Sequence, residues 1–179
     1  SKVIVIGHSE GSLIGMIASE KADQFVSIAG AGQSADKLLK LQLVLQGKQV
    51  EQATFPIIDS LKIGRKVDNV SPFLYSLFRP SVQPYLISWF KFDPQVEIAQ
   101  LKIPVLVVQG TNDVQVSVDD AKSLVRTNVH AKLLLIEEMN NILKIVKGDR
   151  QANLMTYSNP SLPISDELIN EVSRFIFKK

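Results

Sequence analysis

The feature that most constrains the fold is a short apolar run followed at once by a serine between two glycines. Residues 3–6 read Val-Ile-Val-Ile, and residues 7–11 read Gly-His-Ser-Glu-Gly. A β-branched run of this length is typical of a parallel strand buried on both faces. Apolar residues then recur at helical spacing as far as about position 21: Leu13, Ile14, Ile17 and Ala18. The pattern predicts a strand, a tight turn at Ser9 and a helix.

The same alternation continues along the chain. Further buried-strand patterns occupy residues 25–29, 104–108 and 132–136, and helical patterns follow Ser117 and Ser165. Ser117 with Asp120 resembles a helix-starting box, in which each side chain bonds the backbone N–H of the other. Strands that alternate with helices imply a parallel sheet. We therefore predict an α/β fold with a parallel sheet of about four strands and flanking helices.

Residues 34–92 have a different character. They contain amphipathic stretches, several aromatic residues and prolines at positions 56, 72, 80 and 84, which we interpret as helix breaks. The sequence predicts a core built from residues 1–33 and 93–179, with residues 34–92 inserted as a helical cap.

Composition excludes several classes of function. The 20 basic and 18 acidic residues are scattered, which argues against nucleic acid as a partner. No apolar stretch approaches the roughly 20 residues of a membrane-spanning helix. The chain has no cysteine and only two histidines, so it offers neither disulfides nor a convincing metal site, and we predict no cofactor. The absence of cysteine suits either an oxidising or a reducing compartment.

The turn around Ser9 carries the first chemical signal. Gly-x-Ser-x-Gly between a strand and a helix is the pattern of a nucleophile elbow, in which strained backbone holds the serine hydroxyl exposed. We expect glycine at 7 and 11 because side chains there would clash with neighbouring strands, and we expect the N–H of Glu10 to stabilise an oxyanion. The alternative is a glycine-rich turn in which Ser9 caps the helix.

The second signal is an aspartate directly after a strand. Residues 110–113 read Gly-Thr-Asn-Asp and follow the strand at 105–108. A carboxylate at this position can orient a histidine and stabilise its charged form. Asp113 could equally be an ordinary turn residue or helix cap.

Together, residues 7–12, 104–113 and 139–144 resemble α/β-hydrolases of the serine aminopeptidase and esterase-like group. The resemblance implies that Ser9 is the nucleophile, Asp113 the acid, the Glu10 N–H an oxyanion donor, and residues 34–92 a cap over the substrate pocket. In such relatives the loop after the last strand usually reads Met-Asn-His-x-Leu-Lys. Here it reads Met-Asn-Asn-Ile-Leu-Lys, so Asn141 stands at the position of the catalytic histidine.

This departure predicts impaired catalysis, because an asparagine cannot take up a proton near pH 7. Loss of the histidine from such a unit costs on the order of 10⁶ in turnover. We do not expect another histidine to substitute. The side chain of His8 should point away from the pocket, and His130 precedes the last strand, at the opposite end of the sheet.

The resemblance also implies that the chain is a fragment that lacks the first strands of the complete fold, together with the loop that supplies a second oxyanion donor. Residues 3–6 would then present an open edge, and we expect a homo-oligomer formed there or where the absent segment would lie.

Two interpretations of function remain open. The first is a serine hydrolase that cleaves an ester or other acyl bond of a small molecule through an acyl-enzyme on Ser9, impaired by Asn141. The second is a non-catalytic relative that binds a ligand or partner. Aromatic residues such as Trp89 and Phe90 suggest an apolar acyl or aryl group, unless they form the core of the cap.

Overall fold

A computed structural model of the chain describes residues 2–178. It contains one parallel sheet with the strand order β1-β2-β3-β4. The strands are β1 (Ile4–His8), β2 (Gln24–Ile28), β3 (Val105–Gly110) and β4 (Ala131–Ile136). The two central strands are buried along their whole length, which is why their sequences are continuous apolar runs and not alternating ones. The predicted α/β fold with about four parallel strands is confirmed.

Helices connect the strands and cover both faces of the sheet. They are α1 (Glu10–Ala18), which continues in a 3₁₀ turn (Ser19–Lys21), α6 (Pro94–Gln100), α7 (Val118–Thr127), α8 (Arg150–Met155) and α9 (Asp166–Phe177). Ser117 and Asp120 form a complete capping box at the start of α7, and Ser165 accepts a hydrogen bond from the N–H of Leu168 at the start of α9. Both helix starts were predicted from these serines.

Helix α9 packs its apolar stripe on one face of the sheet. Leu168 joins a buried cluster with residues of β2, β3 and β4, against which Val172 and Phe175 also pack. On the opposite face, α1 lies close to the sheet at Gly15, where a Cβ would stand 2.7 Å from the ring of Phe25. A larger residue at position 15 would therefore push α1 away from the sheet.

The chain divides into two compact units, one formed by Ser1–Gly32 with Pro94–Lys179 and the other by Gln33–Asp93. These limits lie within one residue of the division drawn from the sequence. The role of the second unit as a cap stays a prediction.

The second unit is helical. Its elements are α2 (Ala35–Val44), α3 (Lys48–Lys62), a 3₁₀ turn (Pro72–Leu74), α4 (Tyr75–Phe78) and α5 (Gln83–Trp89). Phe78 and Phe90 are fully buried in its core, and Trp89 packs against that core while half-buried. The interpretation of Pro56 as a helix break is wrong, since it lies inside α3. Proline removes one backbone hydrogen bond, but the apolar face of α3 remains buried and keeps the helix intact.

One ion pair within this unit is partly buried. Lys62 Nζ lies 2.9 Å from Asp36 Oδ1 and also donates to the carbonyl of Phe90. Burial is the largest single influence on the Asp36 carboxyl and opposes its ionisation. The hydrogen bond and charge of Lys62 contribute to the opposing effects, which prevail and hold the pKa of Asp36 below its ordinary value. Lys62 thus ties α3 to the start of α2.

Two further observations concern residues 2–178 as a whole. None of the helices found there is both long and apolar enough to cross a lipid bilayer. Nor do three or more histidine, aspartate or glutamate side chains of this part of the chain gather where they could hold a metal ion.

Candidate active site

Ser9 occupies a sharp bend between β1 and α1. Its backbone has φ 54° and ψ −122°, a conformation that is strained for any residue with a side chain. The bend is held because the N–H of Ser9 donates to the carbonyl of Ile28 on β2 at 2.9 Å. The half-buried side chain forms no capping hydrogen bond with α1. The strained conformation of Ser9 therefore provides no cap for α1, and the hydroxyl is available for another role.

The two glycines of the motif have different reasons to be there. A Cβ at Gly7 would lie 2.2 Å from the carbonyl oxygen of Gly11 and 2.7 Å from the Cα of Ser12, so only glycine lets α1 turn back so tightly over β1. A Cβ at Gly11 would meet nothing within 4 Å. The expectation that both glycines avoid neighbouring strands was wrong. Gly7 avoids the backbone of the following helix, and Gly11 faces open space.

Strained backbone gathers at the carboxyl edge of the sheet. Among residues 2–178, the non-glycine residues with positive φ are Ser9, Ala29, Glu138 and Leu143, with φ between 51° and 68°. The first two directly follow β1 and β2, and the other two lie in the segment after β4. Such conformations cost about 1–3 kcal/mol each and cluster where function constrains the backbone. Their placement favours this edge as the functional one.

Asp113 lies in the loop after β3, and each of its two carboxylate oxygens accepts two hydrogen bonds. Oδ1 accepts from the backbone N–H groups of Gln115 at 2.8 Å and Val116 at 3.0 Å. Oδ2 accepts from Gln109 Nε2 at 3.0 Å and Asn141 Nδ2 at 2.9 Å. A carboxylate is an acceptor at all of these positions, so the four N–H donors hold it in one orientation. Asp113 is thereby a rigid anchor for the Asn141 side chain.

The loop that carries Asn141 is held against the Asp113 loop through its backbone. The carbonyl of Met139 accepts the N–H of Asn112 at 3.1 Å. A Cβ at Gly110 would lie 2.0 Å from that carbonyl oxygen, so glycine is required for the approach. Asn140 is fully buried, donates to Asn153 and Thr156, and accepts the N–H of Lys144 at 2.9 Å. These contacts fix the backbone on both sides of position 141.

Asn141 is buried, and its side-chain amide donates to Asp113. It therefore donates where the resemblance would place the N–H of a histidine. The structure thus brings Asp113 and Asn141 into direct contact. Within residues 2–178, no hydrogen bond links the Ser9 hydroxyl to either of them.

The link between the bend and the Asn141 loop comes instead from His8. Its Nε2 lies 2.7 Å from the backbone carbonyl oxygen of Asn141, so this nitrogen carries the proton and donates it. The expectation that His8 points away was wrong, because its exposed ring, at the end of β1, contacts the loop that follows β4. His130 lies at the amino edge, where its carbonyl accepts from the N–H of Val105 at 3.2 Å.

Replacing His8 with alanine should lower the free energy of unfolding by about 1 kcal/mol, because the Asn141 carbonyl loses a partly buried hydrogen bond. Urea denaturation measures the change. His130→Ala is the matched control, since this exposed histidine should cost less than about 0.5 kcal/mol when truncated. Equal losses in the two variants would contradict a holding role for His8.

Two polar residues near Asp113 were missed by sequence reasoning. Gln109 is fully buried at the end of β3, and its amide nitrogen also donates to the carbonyl of Val116 at 3.0 Å. The sequence feature that could have indicated this residue is a glutamine directly after the apolar run of β3. Tyr157 accepts from Gln115 Nε2 at 2.9 Å, and no local signal pointed to it. Burial raises the pKa of Tyr157, and the charge of Asp113 adds to this, against the lowering effect of the Gln115 hydrogen bond.

Three observations together identify the architecture. The sheet is parallel with strands in sequential order, a strained serine separates β1 from the helix that follows, and an aspartate after β3 meets the loop after β4. The chain has a partial α/β-hydrolase fold.

Solved structures with an α/β-hydrolase fold are similar to this chain. The esterase domain of a Rhodothermus marinus protein is 14% identical, with a TM-score of 0.46, over 79% of this chain and 51% of that one. An α/β-hydrolase from the metagenome of lagoon sediments at Mar Chica, Morocco, is 15% identical, with a TM-score of 0.48, over 87% and 59%. A hydrolase from Pseudomonas aeruginosa is 15% identical, with a TM-score of 0.43, over 73% and 55%.

The similarity is one of fold, and it is partial. This chain covers between 41% and 66% of the length of eight such structures. No family model matches the sequence, and no curated protein matches it either. The assignment to the α/β-hydrolase fold rests on the sheet order and on the bend at Ser9, which this chain shows by itself.

Proposed function

We propose that this chain is a serine-hydrolase-like protein whose nucleophile is Ser9 and whose turnover is limited by the asparagine at position 141. Its reaction would be hydrolysis of an ester or other acyl bond in a small molecule, through an acyl-enzyme on Ser9. The observation that carries the proposal is the 2.9 Å hydrogen bond from Asn141 Nδ2 to Asp113 Oδ2. It reproduces the contact between acid and base in a catalytic triad, with an amide in place of an imidazole.

The proposed chemistry starts at the bend. The Ser9 oxygen attacks the acyl carbon, and the carbonyl oxygen becomes an oxyanion that accepts a hydrogen bond from the N–H of Glu10 at the start of α1. The hydroxyl proton must leave during this attack. A histidine would take it and later deliver it to the leaving group, whereas the amide of Asn141 binds no proton near neutral pH. The asparagine therefore slows both formation of the acyl-enzyme and its later hydrolysis, in which the same base would take a proton from the attacking water.

The proposed substrate is a small acyl compound, with residues 34–92 as the cap that selects it. Phe90 does not support an aromatic or apolar acyl group, since it is fully buried in the core of its own unit. Trp89 is half-buried and packs against that core. Of the two aromatic residues that suggested an apolar acyl or aryl group, Phe90 therefore does not support it.

A second candidate function is binding without turnover. It is favoured by the closed set of four hydrogen bonds around Asp113, in which every donor is an amide N–H. Such an arrangement holds loops in place and moves no proton. The strained conformation of Ser9 favours the hydrolase instead, because a scaffold gains nothing from the strain.

Covalent labelling separates the two functions. A fluorophosphonate probe reacts with a serine that has an activated hydroxyl, and intact-mass measurement detects the adduct. We expect rapid labelling of an Asn141→His variant, much slower labelling of the chain as it stands, and none of the Ser9→Ala/Asn141→His double variant. If a folded Asn141→His variant is not labelled faster than the unsubstituted chain, binding without turnover becomes the better account.

A further inference from the structure

Gln109 is a polar side chain in an otherwise apolar strand. It is the second-last residue of β3 and is fully buried, as are Val105, Val107 and Val108 of the same strand. A buried amide lowers stability unless its donors and acceptors are bonded. Within residues 2–178 its oxygen, Oε1, accepts no hydrogen bond, so only its nitrogen is used. The reason for a glutamine here therefore lies in what that nitrogen bonds.

The nitrogen of Gln109 is surrounded by acceptors. It lies 3.0 Å from Asp113 Oδ2 and 3.0 Å from the carbonyl oxygen of Val116, with the carbonyl oxygen of Gly110 at 3.3 Å. The opposite placement of the amide would set its oxygen against a carboxylate and two carbonyls, which only accept hydrogen bonds. The amide therefore stands in one orientation, and it directs one of its hydrogens to Asp113.

Gln109 and Asn141 share one oxygen of Asp113. Both side chains donate to Oδ2, at 3.0 Å and 2.9 Å. The other oxygen, Oδ1, accepts from two backbone N–H groups, which a substitution at position 109 does not remove. The carboxylate therefore keeps its orientation without Gln109. What Gln109 adds is a positively polarised hydrogen on the oxygen that also faces position 141, and two donors on one oxygen divide its negative charge between them.

We propose that Gln109 acts on the side chain at position 141 through Asp113, by weakening the hydrogen bond that the shared oxygen accepts from that side chain. In the unsubstituted chain the effect falls on the Asn141 amide. With a histidine at this position, Gln109 would lessen the attraction of Asp113 for the charged ring and keep more of the ring neutral, the form that acts as a base. This second consequence rests on the proposed function, whereas the first does not.

The other titratable groups around position 141 are independent of Gln109. His8 donates from Nε2 to the backbone carbonyl of Asn141. Burial raises the pKa of Tyr157, and the charge of Asp113 adds to this. Within the described part of the chain, Gln109 forms no hydrogen bond with either residue. The side chain of Gln115 bonds Tyr157 at 2.9 Å and not Asp113, so it offers a matched control in the same loop.

Nuclear magnetic resonance of the full chain tests the effect on Asn141. Gln109→Met removes the donor and keeps a side chain of similar length and volume. We expect the Asn141 side-chain amide proton that bonds Asp113 to move downfield, because its hydrogen bond strengthens once Oδ2 has a single donor. Gln115→Met makes the same chemical change and should leave that proton unmoved. A proton that stays in place or moves upfield in the Gln109→Met variant would overturn the proposal.

The effect on a base is measured in the Asn141→His chain, by titration of the introduced ring. Adding Gln109→Met should raise the pKa of that ring by about half a unit, roughly threefold in proton affinity, whereas adding Gln115→Met should not. The acid limb of the pH–rate profile for nitrophenyl ester hydrolysis should move to higher pH by the same amount. A ring pKa that does not rise contradicts the inference even where the ester is hydrolysed. A raised pKa without hydrolysis supports the role of Gln109 and counts against the proposed function alone.

Circular dichroism establishes that each variant is folded. Gln109→Leu, which also removes the donor, takes the place of Gln109→Met if the methionine variant does not fold. If neither apolar variant folds, Gln109 serves the stability of β3, and the proposal is wrong.

Discussion

An Asn141→His variant should hydrolyse a nitrophenyl ester at least about 10³ times faster than the unsubstituted chain. Removing the histidine from an intact triad lowers turnover on the order of 10⁶-fold, so a gain of this size lies within that range. The physical reason is local. An imidazole at this position would donate one N–H to Asp113, as Asn141 now does. On the proposed function, its second nitrogen would accept the proton of Ser9. The initial rate of nitrophenolate release at neutral pH measures the gain.

Two controls define that result. Asn141→Gln keeps an amide and cannot accept a proton, so it should show no gain. Adding Ser9→Ala to Asn141→His should remove the gain completely, because the attacking oxygen is gone.

The restored rate should also fall as the pH drops through the range in which a histidine becomes protonated, ordinarily near 6.5, since only the neutral ring acts as a base. A gain that survives Ser9→Ala would mean that the histidine catalyses the reaction by another route.

Replacing Gly7 with alanine should lower the free energy of unfolding by about 3 kcal/mol or more. The new methyl group would stand 2.2 Å from a backbone carbonyl oxygen, and backbone cannot move aside as a flexible side chain can. Either α1 must shift away from β1, or the bend at Ser9 must open. Urea denaturation at low protein concentration, with circular dichroism as the signal, measures the loss.

Gly11→Ala is the matched control for this substitution. The added methyl group meets nothing within 4 Å, and alanine is favoured over glycine in a helix by as much as about 1 kcal/mol. The two variants make the same chemical change four residues apart and should have effects of opposite sign. Similar losses in both would show that the tight contact between Gly7 and α1 does not determine stability.

The parts of the fold that could be predicted from the sequence are those with local causes. The runs that form β2 and β3 are apolar because both faces of these strands are buried, and Ser117 marks the start of α7 through a contact only three residues long. Pro56 was misread because the penalty of a proline in a helix is local, whereas the packing that outweighs it involves the rest of the second unit.

The candidate site also contains features that could be predicted from local sequence and features that depend on tertiary contacts. Ser9 and Asp113 follow strands within a residue or a few, so their position at the carboxyl edge could be expected from the pattern. The bond from His8 to the Asn141 carbonyl joins residues 133 positions apart, and the bond between Asn141 and Asp113 spans 28. No spacing rule specifies such contacts, and only the family resemblance indicated that Asn141 would lie beside Asp113. Gly11 looked equivalent to Gly7 for a related reason, since the space around a glycine is known only once the neighbouring elements are in place.

The firm hold on Asn140 has an evolutionary consequence for its neighbour. Its side chain bonds Asn153, Thr156 and the backbone of Lys144, so these contacts of the loop do not depend on the side chain at position 141. Asparagine and histidine codons differ only in their first base, A or C. One nucleotide change at this position would therefore exchange a proton-carrying side chain for an inert one on an unaltered support. On the proposed function, a single mutational step at this position would remove or restore the catalytic base.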